Sequence, residues 1–223
     1  MNYQPSQDEY TEDRAQMVRE QLVARRITDS NILDSFLNIP RHLFVSEDQR
    51  ELAYTDQPLP ISNGQTISQP YVVALMLEYL ESGPEMDVLE IGGGSGYATA
   101  LLSQLFRHVH SIEVFSELMV SAQKVLSQLE LKNISLEHRS AWEQSTEQKL
   151  YSRIILWASP PRIPEYLFDH LDEGGIMVAP EGKHDQTLWV IKKKGGNLIK
   201  EKKESVRFVP LMQGKTTEID RYR

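Results

Sequence analysis

The chain has 223 residues, enough for one buried core with appendages but short of two full domains. Hydrophobic residues at 40% and charged residues at 25% place it among globular chains, and the absence of cysteine excludes disulfides, thiolate nucleophiles and Cys-ligated zinc or iron–sulfur centres. The net charge is −8, and seven basic against two acidic residues fall between Lys192 and Arg207, leaving −13 on the remainder, so no broad nucleic-acid face is expected. The first residues lack the basic start and apolar run of a signal peptide, and no apolar stretch approaches the ~20 residues of a membrane helix. A cytoplasmic protein without membrane contact is the expectation.

In chain order, residues 1 to about 12 are polar and expected to be loose. Ala15, Val18 and Leu22 then recur at helical spacing up to Arg25-Arg26. Thr28 offers an N-cap for a short helix carrying Ile32, Leu33 and Phe36, stopped by Pro40. From Tyr54 to Pro70, with Pro58, Pro60 and Gly64 inside it, an extended loop is predicted, and long ordered loops are commonly functional. Pro70 opens a helix whose residues Val72 to Leu80 are nearly all apolar, ending near Gly83.

The pattern then changes to short β-rich runs, at Val88 to Ile91, Val109 to Ile112, Ile134 to Leu136, Ile154 to Trp157 and Ile176 to Val178, separated mostly by helical lengths. Such alternation predicts a mostly parallel, doubly wound α/β sheet with helices on both faces. Leu188 to Lys194 and Leu198 to Pro210 flank Gly195-Gly196-Asn197, predicting an antiparallel hairpin at one edge, its lysines blunting that edge.

The strongest local signal is Asp87 to Tyr97, DVLEIGGGSGY, a strand running into Gly92, Gly94 and Gly96 and then into a helix-compatible segment. Glycines there admit the tight turn and the close approach of a ligand at the strand's carboxyl end. The spacing is not G-x-G-x-x-G, since the third position after Gly94 is Tyr97, and no lysine follows to make a P-loop. What remains is acidic-x-G-x-G-x-G, beginning at Glu90. Glu113 lies one βα unit later, at the end of the second strand, where a carboxylate accepts ribose hydroxyls or simply caps the strand. Together the two features point to nucleoside binding.

Ser68 precedes Pro70 at the start of the apolar helix, where serine is a favoured N-cap and where free N–H groups also form an anion site. None of the six histidines sits in a metal-binding pattern, and no metal is expected.

The acidic-x-G-x-G-x-G loop resembles the first motif of class I S-adenosylmethionine-dependent methyltransferases, and Glu113 their ribose-binding acid. The resemblance narrows over MVREQLVARRI from Met17, IPRHLFV from Ile39, AYTDQPLPI from Ala53, GQTISQPY from Gly64 and FVPL from Phe208, which occur in the order shown by protein-L-isoaspartate O-methyltransferases. It implies a seven-stranded Rossmann-like sheet with N-terminal helices, S-adenosylmethionine as cofactor, and isoaspartyl residues of damaged proteins or peptides as methyl acceptors. It further implies Ser68 as the active-site serine, Glu90, Gly92, Gly94, Gly96 and Glu113 at the cofactor, Thr66 and Gln69 bordering the acceptor pocket, and Val209 beside the acceptor backbone. The product ester of that family is lost as methanol on succinimide formation.

The chain departs from the family in three places. Arg139-Ser140-Ala141 replaces Gly-Asp-Gly after the third strand, leaving Ser140 as the weaker acceptor for an adenine amino group. Trp157-Ala158-Ser159-Pro160-Pro161 replaces a small-residue stretch, so Trp157 either crowds the acceptor site or belongs to the core. Gly93 stands where threonine is frequent, a change expected to matter little. The whole reads as a single monomeric domain over 1–223, with a helical and loop cap over 1–70, a cofactor core over 71–180 and a hairpin and substrate-side segment over 181–223. Two alternatives stay open: a different carboxylate or small-molecule acceptor, and a non-catalytic binding protein that kept the fold.

Overall fold

The computed structural model describes residues 8–144 and 149–213. Of the N-terminal residues expected to be loose, 1–7 lie outside the described residues and 8–12 are structured: Asp8 ion-pairs with the buried Arg14 at 3.0 Å, and helix α1 (Thr11–Met17) continues through a π-type turn (Val18–Leu22) and a 3-10 turn (Val23–Arg25). Its inward stripe is Arg14, Met17, Val18 and Leu22, with Ala15 only half-buried. Helix α2 (Ser30–Asn38) is capped by Asp29, whose Oδ1 accepts from Asn31 N at 2.8 Å and Ile32 N at 3.3 Å. The cap expected at Thr28 thus falls one residue later, because the Thr28 N–H donates to Glu78 Oε1 at 2.6 Å and ties this entry to the next helix.

The loop from Tyr54 to Pro70 is not wholly irregular. Strands β1 (Leu59–Pro60) and β2 (Thr66–Ile67) pair antiparallel within it, so Thr66 and Ser68 leave a short ribbon rather than a free coil. Helix α3 (Pro70–Leu80) begins with proline at its first position and leaves no residue fully exposed.

Five parallel strands follow, β3 (Asp87–Ile91), β4 (His108–Glu113), β5 (Ile134–His138), β6 (Tyr151–Leu156) and β7 (Leu171–Glu181), with α4 (Tyr97–Leu105), α5 (Ser116–Gln128) and α6 (Tyr166–Asp169) between them. Strands β8 (Gln186–Lys194) and β9 (Asn197–Val206) add antiparallel to β7, giving the order β5-β4-β3-β6-β7-β8-β9. The chain runs outward from β3 to β5 and then returns to β6 on the other side, so the sheet reverses beside β3. A ligand crevice is expected at the carboxyl end of a strand where the order reverses.

Strand alternation divides the core. Val88, Val109, Ile155 and Val178 pack with α1 to α5 on one face, whereas Leu89, Ile91, Ile154, Leu156 and Met177 pack with Leu167, Leu171 and the segment around Ile163 on the other. Helical cover is therefore uneven: among the described residues the second face carries only the four-residue α6. Pro160, Pro161 and Pro164 explain part of this, since each removes a backbone donor and disfavours helical geometry in the residue before it.

The last strand ends at Val206, four residues short of the Pro210 expected. Gln186 holds the emerging chain by pairing with the Phe208 backbone, Nε2 donating to its carbonyl at 3.0 Å and Oε1 accepting its N–H at 2.6 Å. The segment then lies parallel to Ser159, whose N–H donates to the Val209 carbonyl at 2.8 Å and whose carbonyl accepts from Leu211 N at 3.0 Å. This carries Val209 back to the carboxyl edge of the sheet.

Candidate active site

Two recesses meet where β3 and β6 end. The first, about 750 Å³ counted to its open mouth, is lined by Ile91 to Ser95, Tyr97, Glu113, Phe115, Arg139, Ala141 and the segment from Val209 to Met212. The second, about 1090 Å³ on the same basis, is lined by Pro58, Gln69, Val72 and Ser205 to Phe208. Thr66, Ser68, Trp157 and Val209 belong to both. Four side chains from β2, its exit loop, the end of β6 and the C-terminal segment thus form one shared wall.

The glycine turn is built from beneath. Gly92, Gly94 and Gly96 have φ of 83°, 56° and 86°, left-handed values that a side chain resists. Gly96 also allows α4 to lie against α5, because a β-carbon there would sit 2.8 Å from Ala122 Cβ. Gly93 has no positive φ, yet a β-carbon on it would press into Ser111 Oγ and stand 3.3 Å from Thr99 Oγ1. The expectation that this position matters little is therefore corrected: glycine at 93 fits the serine at 111.

Glu90 is fully buried under this turn and does not line the cleft. Thr99 Oγ1 donates to its Oε2 at 2.5 Å and Trp157 Nε1 to its Oε1 at 2.8 Å. Burial pushes its carboxyl up from the ordinary range, against the pull of these donors. Glu113 is on the cleft wall. Its Oε2 accepts from Gly94 N at 2.8 Å, and its Oε1 from Val114 N at 2.8 Å and Phe115 N at 2.9 Å. Oε1 is saturated by two donors, while Oε2 keeps a lone pair for a further one.

Ser140 is 4% exposed and stands off the wall, its hydroxyl accepting from Trp142 N at 3.2 Å. Its neighbours Arg139 and Ala141 line the cleft instead. The Arg139 guanidinium is tethered by Glu137 Oε1 at 2.7 Å and by the Glu143 carbonyl.

Ser68 does not cap α3. The N-cap is Gln69, with no side-chain cap bond, and Pro70 takes the first helical position. The Ser68 hydroxyl has no hydrogen-bond partner among the described residues, whereas its carbonyl accepts from Arg41 Nη2 at 2.8 Å. Gln69 lines the second recess and is anchored through Nε2 to Asp56 Oδ1 at 2.8 Å. Trp157, 6% exposed, unites its two expected roles: its N–H is a core contact to Glu90 while its ring forms part of the shared wall.

Sequence reasoning missed Arg41, Tyr97 and Phe115 as features of this region. A charged residue inside the apolar run IPRHLFV was the one available sign for Arg41. No cluster of three or more His, Cys, Asp or Glu residues that could hold a metal occurs among the described residues.

A Rossmann-like sheet with a glycine turn under an open crevice, an acid at the next strand end and a second recess sharing its wall defines the methyltransferase class of this fold. Residues 12–216 match the family model described as Protein-L-isoaspartate(D-aspartate) O-methyltransferase (PCMT), and the chain belongs to that family. A protein-L-isoaspartate O-methyltransferase from Plasmodium falciparum, solved with S-adenosyl-L-homocysteine, is similar at 26% identity and a TM-score of 0.80, over 93% of this chain and 100% of that one. A second solved protein-L-isoaspartate O-methyltransferase is 27% identical with a TM-score of 0.82, over 90% of this chain and 67% of that one. The family's activity is methyl transfer to the carboxylate of isoaspartyl residues, a protein-repair reaction.

Proposed function

We propose that the first recess holds S-adenosylmethionine and the second the isoaspartyl segment of a protein or peptide, with transfer across the shared wall. The observation that carries this reading is the wall itself: Thr66, Ser68, Trp157 and Val209 face both recesses, so two ligands seated there meet at those residues. The residues fit the cofactor, because Gly92 and Gly94 leave a cradle in which a β-carbon would meet nothing nearer than 3.8 Å, and Glu113 Oε2 retains an acceptor site for a ribose hydroxyl. When bound, the cofactor supplies a methyl group on a positively charged sulfur.

The chain's own residues then have limited work. The acceptor carboxylate is ionised near neutral pH and needs no general base, only alignment with the methyl donor. Ser68, its hydroxyl free, donates a hydrogen bond that orients one carboxylate oxygen. It is not a nucleophile, since no base activates it. Thr66 and Gln69 border the acceptor, Val209 presents the strand-like segment beside it, and Trp157 closes the passage to water. Glu90 acts indirectly, bracing the glycine turn, and Ser140 caps the turn behind the nucleoside end while Ala141 forms the surface there.

We read the chain as one domain with the 1–70 cap, 71–180 core and 181–223 substrate-side segment, acting as a monomer in the cytoplasm without nucleic-acid or membrane partners. No helix among the described residues is long and apolar enough to cross a membrane. The test is transfer of labelled methyl to an isoaspartyl peptide and to its aspartyl twin. Label confined to the first, and reduced ~10–100-fold in kcat/KM by Ser68→Ala, is the expected result. Label on neither peptide from folded protein assigns a different acceptor or a binding role.

A further inference from the structure

Two arginines are wholly buried, and the fold treats them differently. Arg14, 1% exposed, is ion-paired with Asp8 at 3.0 Å. Arg41, 0% exposed, has no acidic partner among the described residues. Its Nε donates to the Ala53 carbonyl at 2.7 Å and its Nη2 to the Ser68 carbonyl at 2.8 Å, while Nη1 is buried without a hydrogen bond. The guanidinium carbon lies 4.9 Å from the Tyr97 ring centroid. Asp56, in the loop that also carries Ser68, is already occupied by Arg25 and Gln69.

A guanidinium stays charged near neutral pH, and withdrawing it from water without a counter-charge is strongly unfavourable. Two carbonyl dipoles and one aromatic face offset part of this cost. The uncompensated remainder sits in a particular place: Ser68 and Tyr97, both in contact with Arg41, line the cofactor recess, and Ser68 lines the acceptor recess as well. A charge in such a low-dielectric position acts on its surroundings more strongly than one in water.

We propose that Arg41 is the fixed counter-charge of the acceptor carboxylate, a positioning residue that holds the Ser68 backbone from behind and makes that end of the shared wall a site for an anion. The inference rests on the placement of the acceptor at Ser68 given above. It has two consequences. The site prefers an ionised acceptor over a neutral one, so the ester product, which has lost its charge, is bound less well than the substrate and leaves. The same positive field opposes a second cation nearby and therefore weakens S-adenosylmethionine relative to S-adenosylhomocysteine, which lacks the sulfonium charge. A purely architectural tie between Ala53 and Ser68 would do neither.

The experiment compares the full chain with Arg41→Lys, which keeps the charge, and Arg41→Gln, which keeps a donor and loses the charge. Circular dichroism first establishes that each is folded. We expect Arg41→Gln to raise KM for the isoaspartyl peptide ~10–100-fold with a much smaller change in kcat, the loss associated with a charged hydrogen-bonding partner. Arg41→Lys should recover most of this, and Arg41→Gln should shift the affinity ratio several-fold towards S-adenosylmethionine over S-adenosylhomocysteine. An unchanged KM in folded Arg41→Gln, or equal damage in the two variants, overturns the proposal.

Where neither variant folds, binding of an isoaspartyl peptide and its neutral isoasparaginyl twin to wild type and Ser68→Ala decides. Preference for the anion that survives in Ser68→Ala supports Arg41, whereas parity, or preference abolished by that change, assigns recognition elsewhere. If wild type methylates no isoaspartyl peptide, the acceptor reading fails by itself, and the cofactor ratio in Arg41→Gln still tests the charge.

Discussion

Substituting Gly93 tests the packing under the glycine turn most directly. The position has no positive φ, so alanine is admissible to the backbone, and losing glycine's unfolded-state freedom contributes ~0.4–1 kcal/mol in its favour. Against this, the new β-carbon presses into Ser111 Oγ and lies 3.4 Å from Glu90 Oε2, in a place where Ser111 is 1% exposed and cannot swing to solvent. Overpacking of this kind costs ~1–3 kcal/mol, so Gly93→Ala should destabilise by a net ~1–2 kcal/mol, or roughly 2–8 °C in Tm for a chain of this size. Ser111 offers the escape. Its hydroxyl is buried without a hydrogen bond of good geometry and supports the Glu90 charge only through proximity, so Ser111→Ala alone should change stability little. In the double variant most of the loss should return, giving a coupling of ~1 kcal/mol or more in urea unfolding of the four proteins. Gly93→Ala as stable as wild type, or additive effects in the double variant, would refute the assignment of glycine 93 to serine 111.

Acid should loosen the N-terminal cap through His42. Its Nδ1 accepts from Tyr54 Oη at 2.8 Å, which in turn accepts from Arg14 Nη1 at 3.1 Å, and burial pushes the imidazole down from 6.5 to about 4. The unfolded chain binds the extra proton throughout that window, so stability is lost as pH falls through it, by roughly 2 kcal/mol between pH 7 and pH 5. His42→Gln, which keeps an acceptor and does not titrate, should flatten that slope in urea unfolding, and an equally steep slope would assign the acid sensitivity to other groups. Burial also lowers His110, so some slope of the same sign should remain. Trp157→Phe removes the donor on the buried Glu90 and should cost ~1.5–3 kcal/mol, with weaker cofactor binding by titration calorimetry. Because Glu90 is already raised by burial, that deficit should shrink as pH falls and the carboxyl takes a proton. A deficit that is constant with pH would mean that the indole acts by bulk alone. Ser68→Ala, by contrast, should leave the unfolding midpoint unchanged, since its hydroxyl caps nothing.

The parts of this protein legible in its sequence are those whose cause is local. A left-handed turn demands glycine at 92, 94 and 96 whatever surrounds it, and short β-rich runs without polar alternation mark β3 and β6 because each strand is covered on both faces. Pro70 starts α3 by its own geometry. Cap residues were less legible: Thr28 and Ser68 each have a good capping side chain, but Glu78 takes the Thr28 amide and Arg41 fixes the Ser68 carbonyl.

What the tertiary structure alone decided are the long-range pairings. Glu90 and Trp157 are 67 residues apart, Arg41 and Ser68 27 apart, and Ser159 meets Val209 only because β8 and β9 return the chain to the crevice. The sequence could place acid, serine and tryptophan in a family motif, yet it could not distinguish a cleft-lining carboxylate from one buried beneath the turn, since both follow the same residue pattern. That distinction depends on which distant donors reach each oxygen. The sequence therefore determined the elements and the chemistry available, and the folded chain decided which of those groups meet the ligand and which support the groups that do.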